Sequence, residues 1–386
     1  MNVTRWLCLF LLVFIGVPAR AIELPTITVK KAEGVNLAFA GVGGSDGPAV
    51  SKVLANDLSL AGWFTIVPAA QAAYTASGTA SGGSLQGKVV DHAGTTLLSK
   101  TYTGNPRTVA HLFNDDIVAT LTGYDGIASS KIAFVSSHTG HKEIYTADYD
   151  GFNIQQLTRD KTISVAPTLS PDGTKLAYTS YLTGYADIYL IDLTSGARLP
   201  IVKFPGTNSG ASFSPDGNRL ACTLSKDGNP EVYVLNASGG GPKRLTNSRG
   251  VEASPTWGPG GREIIYVSDQ KGGPQLYRML SSGGGSKQLP TGYGYTTEPN
   301  WSPDGRRVAC SVRTGGGFAV ATVDVVSGST RIVSPPGNAE DPVWGSDSRH
   351  ILYSTGSSLI LLDVPSGKTT TVIGNLGKVS EPTWSR

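Results

Sequence analysis

A small α/β domain followed by a six-bladed β-propeller is the fold class that this sequence predicts, and three observations carry the prediction. Ser170-Pro171-Asp172-Gly173 recurs as Ser214-Pro215-Asp216-Gly217 and Ser302-Pro303-Asp304-Gly305, while Gly258-Pro259-Gly260-Gly261 holds the same 44-residue spacing between the last two. After each of these turns, and after Gly345-Ser346-Asp347-Ser348, comes a strand of one type, such as Leu176-Ala177-Tyr178-Thr179-Ser180 or Ile264-Ile265-Tyr266-Val267-Ser268; with Ile132-Ala133-Phe134-Val135-Ser136 the set numbers six. The third observation is the end of the chain, where Glu381-Pro382-Thr383-Trp384-Ser385 is an opening strand with no blade after it. A period in the forties, rich in β-branched residues and turns, is the mark of four-stranded propeller blades.

The elements follow in order. Residues 1–21 predict a secretory signal: Arg5, an apolar run from Leu7 to Val17, and Ala19-Arg20-Ala21 at the cleavage point. The run is too short to span a bilayer, and no later segment is long enough. Cys8 sits inside the run rather than at the cleavage point, which argues against a lipid anchor. The full chain carries +3, and losing Arg5 and Arg20 brings the mature chain closer to neutrality. An exported, soluble, periplasmic monomer with no nucleic-acid surface and no membrane insertion is therefore expected.

Residues 22–126 are expected to form the α/β domain. Val35-Asn36-Leu37-Ala38-Phe39-Ala40 reads as a strand, followed by a glycine-rich turn over 41–47. Pro48 opens a helix whose apolar face carries Val50, Val53, Leu54, Leu58 and Leu60, stopped at Gly62. A strand over 63–67, a hairpin around Asp91-His92-Ala93-Gly94 and a closing helix over 109–121 complete it. Residues 127–386 are the propeller. Its second strands carry Ile144-Tyr145, Ile188-Tyr189, Val232-Tyr233 and Leu276-Tyr277, and Leu157-Thr158, Leu245-Thr246 and Leu289-Pro290 are expected to mark another strand. Joining 381–385 to the strand at 131–136 closes the ring, which removes its exposed sheet edges.

Several motifs are weighed and set aside. Gly43-Gly44-Ser45-Asp46-Gly47 fits a nucleophile elbow, but about a hundred residues cannot hold a hydrolase sheet. Asp172, Asp216 and Asp304 read as turn residues, not catalytic carboxylates. Trp257, Trp301, Trp344 and Trp384 read as packing residues between blades. His138 and His141, with Glu143 and Asp148 nearby, fall short of a metal site. Gly367-Lys368-Thr369 lacks the earlier glycine of a phosphate loop. Cys222 and Cys310 occupy equivalent positions in non-neighbouring blades, too far apart for a disulfide. No cofactor, metal or catalytic group is expected.

The residues four positions ahead of the anchors are Ala166, Gly210, Ser254, Glu298, Asp341 and Glu381. They are expected to ring one mouth of the central channel. The three acids fall on consecutive blades with Glu340 beside them, and clustered charge at a cavity mouth focuses potential. This half-ring is a candidate partner-contact or cation-attracting surface.

The order of secretory signal, small α/β domain and six repeats of the Glu298-Pro299-Asn300-Trp301-Ser302-Pro303-Asp304-Gly305 type resembles the TolB family of the Tol-Pal envelope system. Little helical sequence lies between Val67 and Tyr74, so the α/β domain is a shortened form. The resemblance implies a non-enzymatic scaffold that binds a Pal-like lipoprotein through the propeller and supports envelope integrity and cell division. It also implies a TolA-like contact through the first mature residues, of which 22–31 are not an obvious match. Two loops match family loops at the Pal-facing surface and add Thr207, Asn208, Ser209, Arg249 and Glu252 to the candidates. The alternatives are an exported glycan-binding propeller and a polysaccharide lyase. A peptidase would need a further catalytic domain.

Overall fold

The computed structural model describes residues 34–385. The expected signal at 1–21 and the TolA-type segment at 22–31 lie outside the described residues.

The first region is a five-stranded sheet with two helices. Its elements are β1 (Val35–Gly43), α1 (Gly47–Leu60), β2 (Phe64–Ile66), β3 (Tyr74–Ser81), β4 (Ser84–Asp91), β5 (Thr96–Thr103) and α2 (Pro106–Thr122). The strand order is β2-β1-β3-β4-β5, with β1 parallel to both neighbours and the rest antiparallel. Val50, Leu54 and Leu58 of α1 and Phe113 and Ile117 of α2 share one core with Leu37, Leu85 and Val89 of the sheet. α2 lies close to the sheet because Gly87 offers no side chain there; a Cβ would stand 2.7 Å from the Phe113 ring. Asn105 caps α2 by accepting from Thr108 N at 3.0 Å, a contact worth about 1 kcal/mol. The expected turn over 41–47 is shorter than the sequence suggests. Strand β1 runs on to Gly43, bulging between Phe39 and Val42 so that it still pairs with β3.

Six four-stranded sheets make the propeller. Blade 1 joins Val379–Trp384 to Lys131–Ser136, Glu143–Asp148 and Gln155–Gln156, so the chain's last strand closes the ring as expected. Blades 2 to 6 begin at their inner strands, Ser164–Leu169, Asn208–Phe213, Glu252–Trp257, Thr296–Trp301 and Glu340–Trp344. In blades 1, 3 and 4 the outermost strand is two residues long and ends just before the expected Leu157, Leu245 and Leu289. The cause is a hydroxyl in two of them. Thr158 Oγ1 and Thr246 Oγ1 each accept from a backbone amide of the neighbouring strand, Ile144 N and Val232 N, at 2.8 Å, where a ladder carbonyl would otherwise stand.

The repeated turn works as its residues require. Ser170 Oγ donates to Asp172 Oδ1 at 2.5 Å and accepts from Lys175 N at 2.9 Å, while Gly173 takes φ +67. The tryptophans before the turns are buried and bridge blades. Arg219 of blade 3 lies over Trp257 of blade 4, and Arg307 of blade 5 over Trp344 of blade 6, both at 4.6 Å. Cys222 and Cys310 are buried and free.

Because every blade is an antiparallel meander, its turns alternate between the two ends of the ring. The Ser-Pro-Asp-Gly turns lie at one end, and the starts of the inner strands lie at the other. The α/β region packs on the first of these ends, over blades 1 and 6. Arg349 of blade 6 lies 4.3 Å from the Trp63 ring and donates to the Gly62 carbonyl, and α2 meets blade 1 through Arg107. The opposite end is free of it.

Candidate interaction site at the channel mouth

The six positions singled out by the repeat all stand at the free end and line a cleft of 480 Å³ at the channel mouth. Backbone geometry puts them there. Ala166, Ser254, Glu298, Asp341 and Glu381 have φ of 50–55°, Gly210 has 62°, and each inner strand shifts register at this point. Such a bulge adds one residue against the partner strand and re-aims a side chain. In five blades the next residue is proline (Pro167, Pro255, Pro299, Pro342, Pro382), which costs no ladder bond where the ladder is already interrupted.

The acidic half-ring is present, but it is not a freely solvated rim. Glu298 Oε2 accepts from Asp341 N at 2.9 Å, Asp341 Oδ2 from Glu381 N at 2.8 Å, and Glu381 Oε2 from Ala166 N at 2.6 Å. Each carboxylate therefore reaches the bulge amide of the following blade, stitching blades 5, 6, 1 and 2 together. The three side chains are half-buried. Burial, followed by Glu298 and Glu381, pushes the Asp341 carboxyl well above its ordinary range. Burial also raises Glu381, and burial with Glu298 raises Glu340. Lys142 lines the same cleft.

The loop candidates divide. Thr207 and Arg249 are exposed and Ser209 is half-buried at the free end. Asn208 and Glu252 are corrections: both are buried, so neither is available to a partner. They occupy the first position of an inner strand, where Ser164, Thr296 and Val379 are equally buried, and both have internal work. Asn208 Nδ2 donates to the Ala186 and Phe204 carbonyls, and Glu252 Oε1 accepts from Ser248 and Ser268 hydroxyls at 2.7 Å. Burial raises Glu252, with Glu231 beside it adding to the shift.

The histidine candidates do not converge. His138 and His141 are exposed in the first loop of blade 1, Asp148 lies at the far end of that hairpin, and Glu143 is buried against Thr158 and Lys161. The Ser45 hydroxyl, in the elbow-like motif, donates to the Ser81 hydroxyl at 3.1 Å, with no base hydrogen-bonded to it among the described residues.

Sequence reasoning missed a buried polar junction between the two regions. Asp57 on α1 accepts from Tyr149 OH at 2.9 Å and pairs with His111 Nδ1 at 2.8 Å. Arg107 Nη2 stands 2.7 Å from Asp150 and 3.1 Å from His111 Nε2, so that nitrogen accepts and Nδ1 carries the proton. Asp57, His111 and Asp150 bring three ligand-type atoms within 4.8 Å of one another. Arg107 already fills the cation's place, so the cluster reads as a junction. The signal available was Asp57 and His111, each within the apolar period of its helix.

No helix among the described residues is long and apolar enough to cross a membrane. Residues 118–386 match the TolB beta propeller domain family. The chain is similar to the Tol-Pal system protein TolB of Geobacter metallireducens, 38% identical over 167 residues, covering 34% of this chain and 38% of that protein. It is also similar to the TolB homolog of Chlorobium luteolum, 52% identical over 81 residues, covering 20% and 19% respectively. The matched stretches thus span under two-fifths of these relatives' own lengths. In three dimensions it is similar to the crystal structure of TolB from Acinetobacter baumannii, with TM-score 0.82, 27% identity, and coverage of 92% of this chain and 97% of that one. By the match over its propeller, the chain belongs to the TolB beta propeller domain family.

Proposed function

We propose that the chain is a periplasmic, non-enzymatic scaffold of the Tol-Pal type. It binds a Pal-like lipoprotein through the propeller and supports envelope integrity and cell division. Its working units are 22–126 and 127–386. One observation carries the reading: the α/β region covers one end of the ring and leaves the channel mouth at the other end open. A propeller that displays one mouth on a rigid ring suits docking, because loops held by a rigid scaffold are where proteins place contacts. The remaining candidates on that surface are Thr207, Ser209, Arg249, Glu340 and the half-ring of Glu298, Asp341 and Glu381. A non-enzymatic role is supported by the scatter of the histidines: His111 and His350 are buried against Asp57 and Asp347 away from the mouth, while His138 and His141, exposed in a free-end loop, do not converge with Glu143 or Asp148. Titrating residues 22–386 with the soluble domain of the Pal-like lipoprotein from the same genome tests the reading. Saturable one-to-one binding is expected; heat changes no larger than dilution would overturn it.

A further inference from the structure

The loops of the free end carry a one-sided charge. Lys142, Arg159, Lys161, Lys203, Arg249 and Lys271 are all exposed there, joined by Arg313 and Lys378. None of them forms an ion pair among the described residues. The acids of the same loops are already engaged. Asp160 is held by both Nη atoms of Arg198 at 2.7 and 2.6 Å, Asp227 by Lys226 at 2.8 Å, and Asp269 accepts from Val251 N at 2.8 Å. Around the acidic channel mouth there is thus a band of exposed cations outside any ion pair among the described residues, with Lys142 at its inner edge beside the acidic cleft, although the whole chain carries only +3.

On blade 2 this band encloses an apolar patch. Ile163 is 46% exposed, Leu182 49% and Tyr185 72%. Tyr181 N donates to the Ile163 carbonyl at 2.9 Å, which fixes the loop before the inner strand against the 181–186 turn. Arg159 and Lys161 lie in the loop before the patch and Lys203 in the loop after the blade. An exposed aromatic and aliphatic centre with a charged margin is the composition of a protein-docking surface.

We propose that the free end docks a folded protein whose contact surface is acidic, seated on Ile163, Leu182 and Tyr185 and steered by the surrounding cations. The inference rests on the docking reading above and adds the chemistry of the partner. A protein fits better than a polyanionic glycan or nucleic acid, because a polyanion laid across this end would meet Glu298, Asp341 and Glu381 at its centre, and because charged polymers gain nothing from the apolar patch. Opposite charges across a margin act mainly on the association rate and fade with salt.

The test uses residues 22–386 and two probes, the soluble domain of the Pal-like lipoprotein from the same genome and fluorescent poly-L-glutamate. Association of the first should slow about tenfold between 50 and 300 mM NaCl. Arg159→Glu with Lys161→Glu and Lys203→Glu should slow it at least as much, and Tyr185→Ala should speed dissociation about tenfold. Reversing Lys175, Arg262 and Arg306 at the covered end should change neither rate. Binding that ignores salt and the first triple variant overturns this inference while leaving the scaffold role standing. If the lipoprotein domain does not bind at all, the scaffold role fails and poly-L-glutamate decides the inference. Retention of this polymer probes only the cations: retention lost only in the Arg159, Lys161 and Lys203 variant supports their steering role, and no retention, or retention lost equally in the control, overturns the inference.

Discussion

Asp341 shows how one residue can serve the fold while opposing it. Its carboxylate accepts the Glu381 amide, yet burial and the flanking Glu298 and Glu381 raise its affinity for a proton. A carboxyl raised in the native state holds its proton there more tightly than in the unfolded chain, so stability falls as pH climbs from the ordinary aspartate range, about 4, through the raised native value. Asp341→Asn keeps an acceptor and removes the charge. The variant should melt about 3 °C higher than the parent at pH 8, with the gap closing toward pH 4. A calorimetric scan in which it melts lower at pH 8 would refute the repulsion argument. Legibility at this scale was uneven. The spacing of Glu298, Asp341 and Glu381 placed them at the channel mouth, since the repeat supplies the register. It did not reveal that each carboxylate is spent on the next blade's amide, because that depends on a bulge whose φ near +50° is unusual for Glu and Asp. Asn208 and Glu252 misled for a simpler reason: polar residues in a loop-like stretch suggest exposure. Their alignment with Ser164 and Val379 at the buried start of an inner strand would have corrected it.

Among the elements, the last strand has the largest consequence for its length. Val379–Trp384 pairs with Lys131–Ser136, Trp384 Nε1 donates to Ser130 Oγ at 2.6 Å, and Ser385 Oγ accepts from Lys131 N at 2.9 Å. Glu381 carries the stitch from blade 1 to blade 2. Deleting 381–386 therefore removes a ring-closing strand, a buried tryptophan and an inter-blade bond together. Removing Trp384 alone should cost about 3–5 kcal/mol. The truncated chain is expected to lose cooperative melting by circular dichroism or to melt more than 10 °C lower; an unchanged melt would mean that the ring does not depend on this closure. The strand was legible because half a repeat stood unpaired at each end of the propeller sequence. The two-residue outer strands were less so, since Leu157-Thr158 has good strand residues and only its geometry shows the Thr158 hydroxyl ending the ladder.

At the scale of the whole molecule, the charge pattern follows from connectivity. Alternate turns of each meander go to opposite ends, so the Ser-Pro-Asp-Gly carboxylates collect at the covered end and the lysines and arginines of the intervening loops at the free one. That separation can be read from the sequence once the strand directions are known. The junction of Asp57, His111, Arg107, Asp150 and Tyr149 cannot, because its members come from three segments that only the assembled fold brings together. It ties the α/β region to blade 1 and leaves the free end open, the surface proposed above for a partner. Hydrogen–deuterium exchange on residues 22–386, with and without the Pal-like lipoprotein domain, tests that claim most directly. Protection should fall on 157–163, 181–186 and the inner-strand bulges. Protection confined to the Ser-Pro-Asp-Gly turns or to the α/β region would contradict it.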